Sequence, residues 1–253
     1  FIESDFFENQ ALSYRQRVEI LEAKRGTIYD KNFNVLASSV QSYNVAVKPN
    51  EIDDLGFVMV LSLLLNVDES EILKKLSENS KFFYLKRNVD YETGNKIKSW
   101  KFNGIYLEHS NKRNVYDSST SNIIGFVDPD GNGIEGLELY FDTLLKGEDG
   151  ELRYESAPNG AIIPQGEIIT IQPKHGEDLI LSIDSELQYL SKDLCQDALK
   201  DTQAFMCSVV FANAVTGEIL ISAEESSTNN NYFNIDLISA RANYEPGSSL
   251  KIF

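Results

Sequence analysis

The spacing of apolar residues changes near residues 173–176 ("PKHG"), and that change limits the folds open to this chain more than any other feature. Before it, apolar residues come in short runs closed by glycine, asparagine or aspartate. Ile28, then Val35 with Leu36, then Val45 with Val47 read as short strands, and residues 30–34 ("DKNFN") as the turn between the first two. Two helices follow, one over about residues 54–66 and one capped by Asp68, with Ile72, Leu73 and Leu76 at helical spacing. "KFFYLKRNV" reads as a strand, "YETGNKIKSW" as a turn leading into a short helix, and residues 104–122 as strand and loop. "IEGLELYFDTLL" reads as a short helix, and "GELRYESAPNGAIIP" as a hairpin whose Asn159 and Gly160 suit a type I′ turn. The opening "FFENQALSYRQRVEILEAK" mixes helix formers with charge and reads as an exposed helix or stalk.

Beyond the change, "DLILSI" is a strand and Asp184 caps a long helix with Leu187, Leu190, Leu194, Ala198 and Leu199 on one face. A hairpin follows, "CSVVFAN" and "GEILISA". The expected architecture is therefore α+β in two parts, an irregular module to about residue 173 and the opening of a second domain after it.

Charge narrows the function classes. A net charge of −16 argues against a nucleic-acid binder, which needs a basic surface to replace phosphate counterions, and against adhesion to anionic lipid. Cys195 lies in a helical pattern and Cys207 opens an apolar strand, so both read as buried free thiols, with no CxxC and no metal spacing. The apolar run "FVMVLSLLL" is far short of the ~18 residues that cross a bilayer. The chain opens on Phe1 and stops at Phe253, and so reads as an excerpt of a longer polypeptide whose signal or anchor precedes Phe1.

Three clusters carry possible chemistry. "DPDGNGIEGLEL" has Asp128, Asp130 and Asn132 at calcium-loop positions, but Leu139 stands where a bidentate glutamate belongs, so a glycine-rich turn is the reading. His109 and His175 have no ligand spacing and read as surface or loop residues. Ser248 and Lys251 form Ser-x-x-Lys behind Pro246 and Gly247. One helical turn apart, the amine reaches the hydroxyl, and a lysine of lowered pKa serves as base for a serine that is otherwise a weak nucleophile. Ser249 lacks such a partner, since Ile252 stands three residues on. Alone the tetrad is a weak signal, because a capping serine before a surface lysine is its commoner meaning.

In context the tetrad is more specific. "YEPGSSLKIF" resembles the active-site segment of penicillin-binding transpeptidases, where Pro-Gly-Ser-Thr/Ser-x-Lys opens the central helix. "GEDLILSIDSELQYLSKDLCQDAL" is similar to the opening strand and helix of that domain, and "CSVVFANAVTGEILISA" to its first hairpin. "RGTIYDKNFNVLASS" resembles the signature that begins the pedestal (dimerisation) domain of class B, monofunctional penicillin-binding proteins, with Arg25, Gly26 and Asp30 in place. The stretch from "NKRNVYD" to "GAIIP" resembles a later part of that domain and includes Arg113, Gly136, Glu138, Leu145 and Gly147. The sequence departs from the pattern at Phe33, where glycine is usual, at Lys31, usually arginine, and at Asp117, usually proline.

The resemblance implies a juxtamembrane stalk over 1–24, a pedestal over 25–173 and the start of a transpeptidase domain over 174–253. It implies a peptidoglycan D,D-transpeptidase of the cell-division type on the extracytoplasmic face of the cytoplasmic membrane, anchored by a helix before Phe1. Ser248 is the implied acyl nucleophile and lends its N–H to the oxyanion hole, with Lys251 as general base. Arg25, Gly26, Asp30, Arg113, Gly136 and Glu138 are implied pedestal residues, and Arg25, Gly26 and Asp30 read as turn-holding rather than catalytic. The implied partners are stem peptides ending in D-alanyl-D-alanine, β-lactams, and through the pedestal a polytopic glycosyltransferase and division proteins. No cofactor or metal is implied. The family's Ser-x-Asn and Lys-Thr/Ser-Gly motifs do not follow Lys251, so the 253 residues alone are expected to be inactive. The alternative is a non-catalytic scaffold module that docks onto cell-wall synthesis proteins.

Overall fold

Strand and helix alternate irregularly along the chain, and the reasons lie in local chemistry that differs between two parts of it. The computed structural model describes residues 16–78, 80–156, 163 and 168–227. These residues fall into two compact units, interleaved in sequence. The first takes its residues from Phe1–Gly26, Gln41–Lys112 and Thr143–Glu177, the second from Thr27–Val40, Arg113–Asp142 and Asp178–Phe253. Helix and strand are mixed in both, the α+β class expected. Among the described residues no helix is long and apolar enough to cross a membrane.

In the first unit, β1 (Gln16–Leu21) pairs antiparallel with β6 (Gly150–Glu155), which pairs in turn with β7 (Ile169–Ile171). The helix or stalk read for this opening segment is thus corrected over the β1 residues. Arg17, Val18, Glu19 and Ile20 alternate polar and apolar, and pairing with β6 outweighs the helix propensity of glutamate and arginine. The proposed Asn159–Gly160 turn lies outside the described residues.

The apolar core of this unit is built from Val45 and Val47 of β3 (Val35–Val47), Leu85 and Val89 of β4 (Phe83–Asp90), and three helices. Helix α1 (Phe57–Leu65) buries Phe57, Val58, Leu61 and Leu65, each contributing roughly 1.5–3 kcal/mol by burial. It stops at Asn66, whose left-handed backbone (φ 50°) turns the following Val67 amide back onto the Ser62 carbonyl at 3.2 Å. Helix α2 (Glu69–Ser77) starts at Asp68 as expected, although no side-chain bond caps it, and seats Ile72 in the core. Helix α3 (Tyr91–Trp100) begins at once, without the turn expected there, because Asp90 accepts a hydrogen bond from the Thr93 amide. Gly94 lets α3 lie on Tyr43, since a Cβ there would sit 2.2 Å from that ring. Strand β5 (Ile105–Val115) follows.

In the second unit, β2 (Ile28–Tyr29) pairs antiparallel with the start of β3 and parallel with β8 (Leu179–Ile180). Two short helices, α4 (Ser121–Ile124) and α5 (Gly136–Tyr140), lie together, with α6 (Asp142–Leu145) next in the chain. Helix α7 (Ser185–Thr202) packs against the hairpin of β9 (Met206–Ala212) and β10 (Ile219–Ser226).

Two expectations for α7 fail. Its buried residues are Gln188, Cys195 and Leu199, while Leu187, Leu190 and Leu194 are 41%, 54% and 68% exposed. The hairpin meets the flank beside the leucine stripe, because that flank carries Gln188 and Cys195, both of which bond to it. Cys195 and Cys207 are joined in a disulfide, Cα to Cα 5.4 Å, and are not free thiols. The helix ends at Gln203 in a left-handed conformation, which reverses the chain and brings β9 back alongside.

Candidate functional site

The chain meets itself at the start of α7, where the turn at residues 30–34 is seated. Asp30 is wholly buried, and its carboxylate accepts from the amides of Asn32 (2.8 Å) and Asn34 (2.8 Å), from Asn34 Nδ2 (2.9 Å) and from Ser185 Oγ (2.7 Å). Burial works to raise its pKa, yet the bonds from Ser185, Asn34 and Asn32 outweigh it and hold the group at about 2. Lys31 continues the contact. Its amide donates to the Ile183 carbonyl (3.0 Å), and its ammonium lies 2.8 Å from Asp184. Asp184 is the expected cap and accepts from the Leu187 amide at 3.1 Å. Lys31 and that amide hold its pKa below the ordinary carboxylate value.

The same helix is gripped one turn on. Gln188 is buried, and its amide nitrogen donates to the carbonyls of Ser119 (3.0 Å) and Ser222 (2.8 Å) while its oxygen accepts from the Ser222 amide (2.8 Å). The side chain thus stands in for a strand, pairing with β10 through both its donor and its acceptor. Lys192 donates to the Ser118 carbonyl (3.0 Å) and lies 3.4 Å from Glu225. Asp117 shapes the loop that offers these carbonyls, accepting from the amide (2.7 Å) and hydroxyl of Ser119. A carboxylate in place of the usual proline is therefore a working part of this turn. None of these contacts was foreseen. A glutamine on the helix flank, three residues after its first position, was the signal available.

The remaining pedestal residues fall in two places. Arg113 on β5 and Glu138 on α5 form a buried ion pair, Nε to Oε1 2.6 Å, with side chains 4% and 0% exposed. Gly136 sets that helix close against α4. Its φ is 62°, and a Cβ would lie 2.7 Å from the Gly125 amide nitrogen and the Ile124 carbonyl oxygen. In the first unit Arg25 is 7% exposed, and the Gly26 amide donates to the Leu145 carbonyl at 2.8 Å. Ser248 and Lys251 lie outside the described residues.

The glycine-rich loop at residues 128–132 is a turn. Asp128 accepts from the amides of Asp130 and Asn132 and from Asn132 Nδ2, each at 2.9 Å. Among the described residues no group of three or more His, Cys, Asp or Glu side chains is placed to hold a metal ion. His109 packs on the Tyr43 ring (4.8 Å), and His175 Nδ1 accepts from the Lys24 amide. What the arrangement does chemically is positional: carboxylates, an amide and a lysine fix the first two turns of α7.

Comparison with known proteins accounts for these elements. Residues 20–181 match the penicillin-binding protein dimerisation domain. A probable peptidoglycan D,D-transpeptidase PenA of Neisseria meningitidis is 31% identical over 98% of this chain and 45% of its own length. The peptidoglycan D,D-transpeptidase FtsI of Escherichia coli K12 is 32% identical over 93% of this chain and 42% of its own. The chain thus spans less than half the length of these relatives. A peptidoglycan synthetase from Bifidobacterium adolescentis superposes with a TM-score of 0.54 at 26% identity, covering 83% of this chain and 44% of that one. A Helicobacter pylori penicillin-binding protein, PBP2, solved with MreC, superposes with a TM-score of 0.60 over 84% of this chain and 43% of that one. At 18% identity the last likeness speaks for the fold alone.

Proposed function

The chain belongs to the penicillin-binding proteins built on this dimerisation domain, and from that premise we propose that it is part of a cell-division type peptidoglycan D,D-transpeptidase. The residues before β1 lead from the membrane, β1 with 25–173 forms the pedestal, and 174–253 begin the transpeptidase domain. Ser248 attacks the penultimate D-alanine carbonyl of a stem peptide while Lys251 takes its proton. The tetrahedral oxyanion collapses to an acyl-enzyme and D-alanine leaves. An amine of a neighbouring stem then displaces the serine and makes the cross-link. A β-lactam acylates the same serine.

The observation that carries this reading is the collinear similarity, along 98% of the chain, to a protein named for that activity. The second unit is consistent with it. The grip on the first two turns of α7 gives the opening helix of the transpeptidase domain a set position, as chemistry on a nearby helix requires. The disulfide favours an oxidising compartment, in keeping with an extracytoplasmic location. For the pedestal we assign docking to a polytopic glycosyltransferase and to division proteins.

Fluorescent penicillin tests the reading on the longer protein that contains this sequence. We expect covalent label at Ser248, none in Ser248→Ala, and acylation slowed about 100-fold or more in Lys251→Ala. Full labelling of Ser248→Ala overturns the assignment. The 253 residues alone should not label, and robust labelling there would remove the need for the later motifs.

A further inference from the structure

The helix and hairpin of the second unit share little buried apolar surface. Among the described residues of α7, β9 and β10, the buried apolar side chains are Cys195, Leu199, Ile221 and Ala223. Leu190, Leu194, Val210 and Phe211 are each half exposed or more. A two-stranded hairpin is marginal in water without a packed face. Against that thin contact stands one covalent bond. Cys195, 1% exposed in the middle of α7, is joined to Cys207, the second residue of β9, across a sequence separation of 12. These are both of the cysteines the chain has.

We propose that the Cys195–Cys207 disulfide is a redox-sensitive staple, whose opening by a dithiol reductant loosens α7, β9 and β10 while the first unit stays folded. The inference rests on the packing of the second unit and not on the transpeptidase reading. The two sulfurs differ in access, since Cys207 is partly exposed and Cys195 is not. A reductant thiolate therefore attacks Sγ of Cys207. The Sγ–Sγ bond breaks, Cys195 departs as a thiolate and takes up a proton, and a mixed disulfide remains on Cys207. The reductant's second thiolate displaces Cys207, which is protonated in turn, and the reductant is left as its own disulfide. The two electrons pass from the dithiol to the protein disulfide. Opened, the module keeps the polar bonds of Gln188, Lys192 and Gln196, the bonds of Ser182 and Asp184 to β10, and the few buried side chains named above. The first unit has no cysteine and keeps its own core of Val45, Phe57, Leu61, Leu65 and Leu85.

Hydrogen–deuterium exchange on the 253-residue chain, with and without dithiothreitol, tests this. Closing a loop of this length lowers the opening equilibrium constant by about two decades, so amides of α7, β9 and β10 should exchange about 100-fold faster once reduced. Amides of α3 and β4 should not change. Cys195→Ala/Cys207→Ala should exchange at the fast rate without reductant and ignore dithiothreitol. Should that variant not fold, the reductant arm on the native chain decides alone. Free thiols titrated in the untreated protein, a bond that dithiothreitol leaves intact in the native state, unchanged exchange after reduction, or equal loosening of both units each overturns the proposal.

Discussion

Two five-residue turns in the second unit, residues 30–34 and 128–132, close with the same hydrogen bonds and differ in what surrounds them. In each, the first aspartate accepts from the amides two and four residues on and from the asparagine side chain at the fifth position. Each also pairs first and fifth residues through the backbone, Asp30 N to Asn34 O at 2.9 Å and Asp128 N to Asn132 O at 2.8 Å. The fourth residue is left-handed in both, Phe33 at φ 65° and Gly131 at φ 80°. Aspartate and asparagine at that spacing are therefore enough to make the turn, and glycine is not required. What distinguishes the first turn is burial. Asp30 is sealed against α7 and gains Ser185, whereas Asp128 stays half-buried at the surface.

The contrast is broken most directly by removing each aspartate. Asp30→Ala takes away the acceptor shared by Asn32, Asn34 and Ser185 and should cost about 2–4 kcal/mol in urea unfolding followed by circular dichroism, with Asp128→Ala costing about 1 kcal/mol. Equal losses would mean that docking on Ser185 adds nothing. Acid sharpens it further. The folded pKa of Asp30, about 2, lies below its unfolded value near 3.8, so the unfolded chain takes up the proton first as pH falls. This contribution is complete above pH 4 and is lost as pH falls through about 2. Asp30→Asn should flatten that part of a stability profile measured from pH 5 to 2, and a profile of unchanged slope would refute the assignment.

The smallest effects lie at the fourth residue. Gly131→Ala meets no atom within 4 Å, so its cost is purely that of a left-handed backbone, about 1 kcal/mol. Phe33→Gly should act in the opposite direction, stabilising by about 0.5–1 kcal/mol as the strain at φ 65° is relieved. Melting temperatures of the two variants should move apart. Loss of stability in Phe33→Gly would instead credit the ring, which is 66% exposed and lies 6.3 Å from Tyr29.

Much of the first unit is legible in the sequence because its signals are local. Helices α1 and α2 with Asp68 at the cap, and strand β4, all fall where residue spacing places them, as does the turn at 30–34 in the second unit. Where the reading failed, a distant partner outweighed a local preference. β1 is a strand because β6 pairs with it, and α3 loses its expected turn because Asp90 caps it and Gly94 admits Tyr43. On α7 the leucine stripe has the correct helical period, but only Leu199 of it is buried, since a buried glutamine and a disulfide hold the hairpin to the neighbouring flank.

Caps, turn residues and hydrophobic period act within a few residues, so the sequence by itself determined the α+β class, the family and those elements whose signals are local. Only the tertiary structure decided which groups meet. Asp30 with Ser185, Arg113 with Glu138, and Cys195 with Cys207 are 155, 25 and 12 residues apart. A carboxylate, a guanidinium or a thiol carries no mark of its partner until burial removes water and leaves it a single choice.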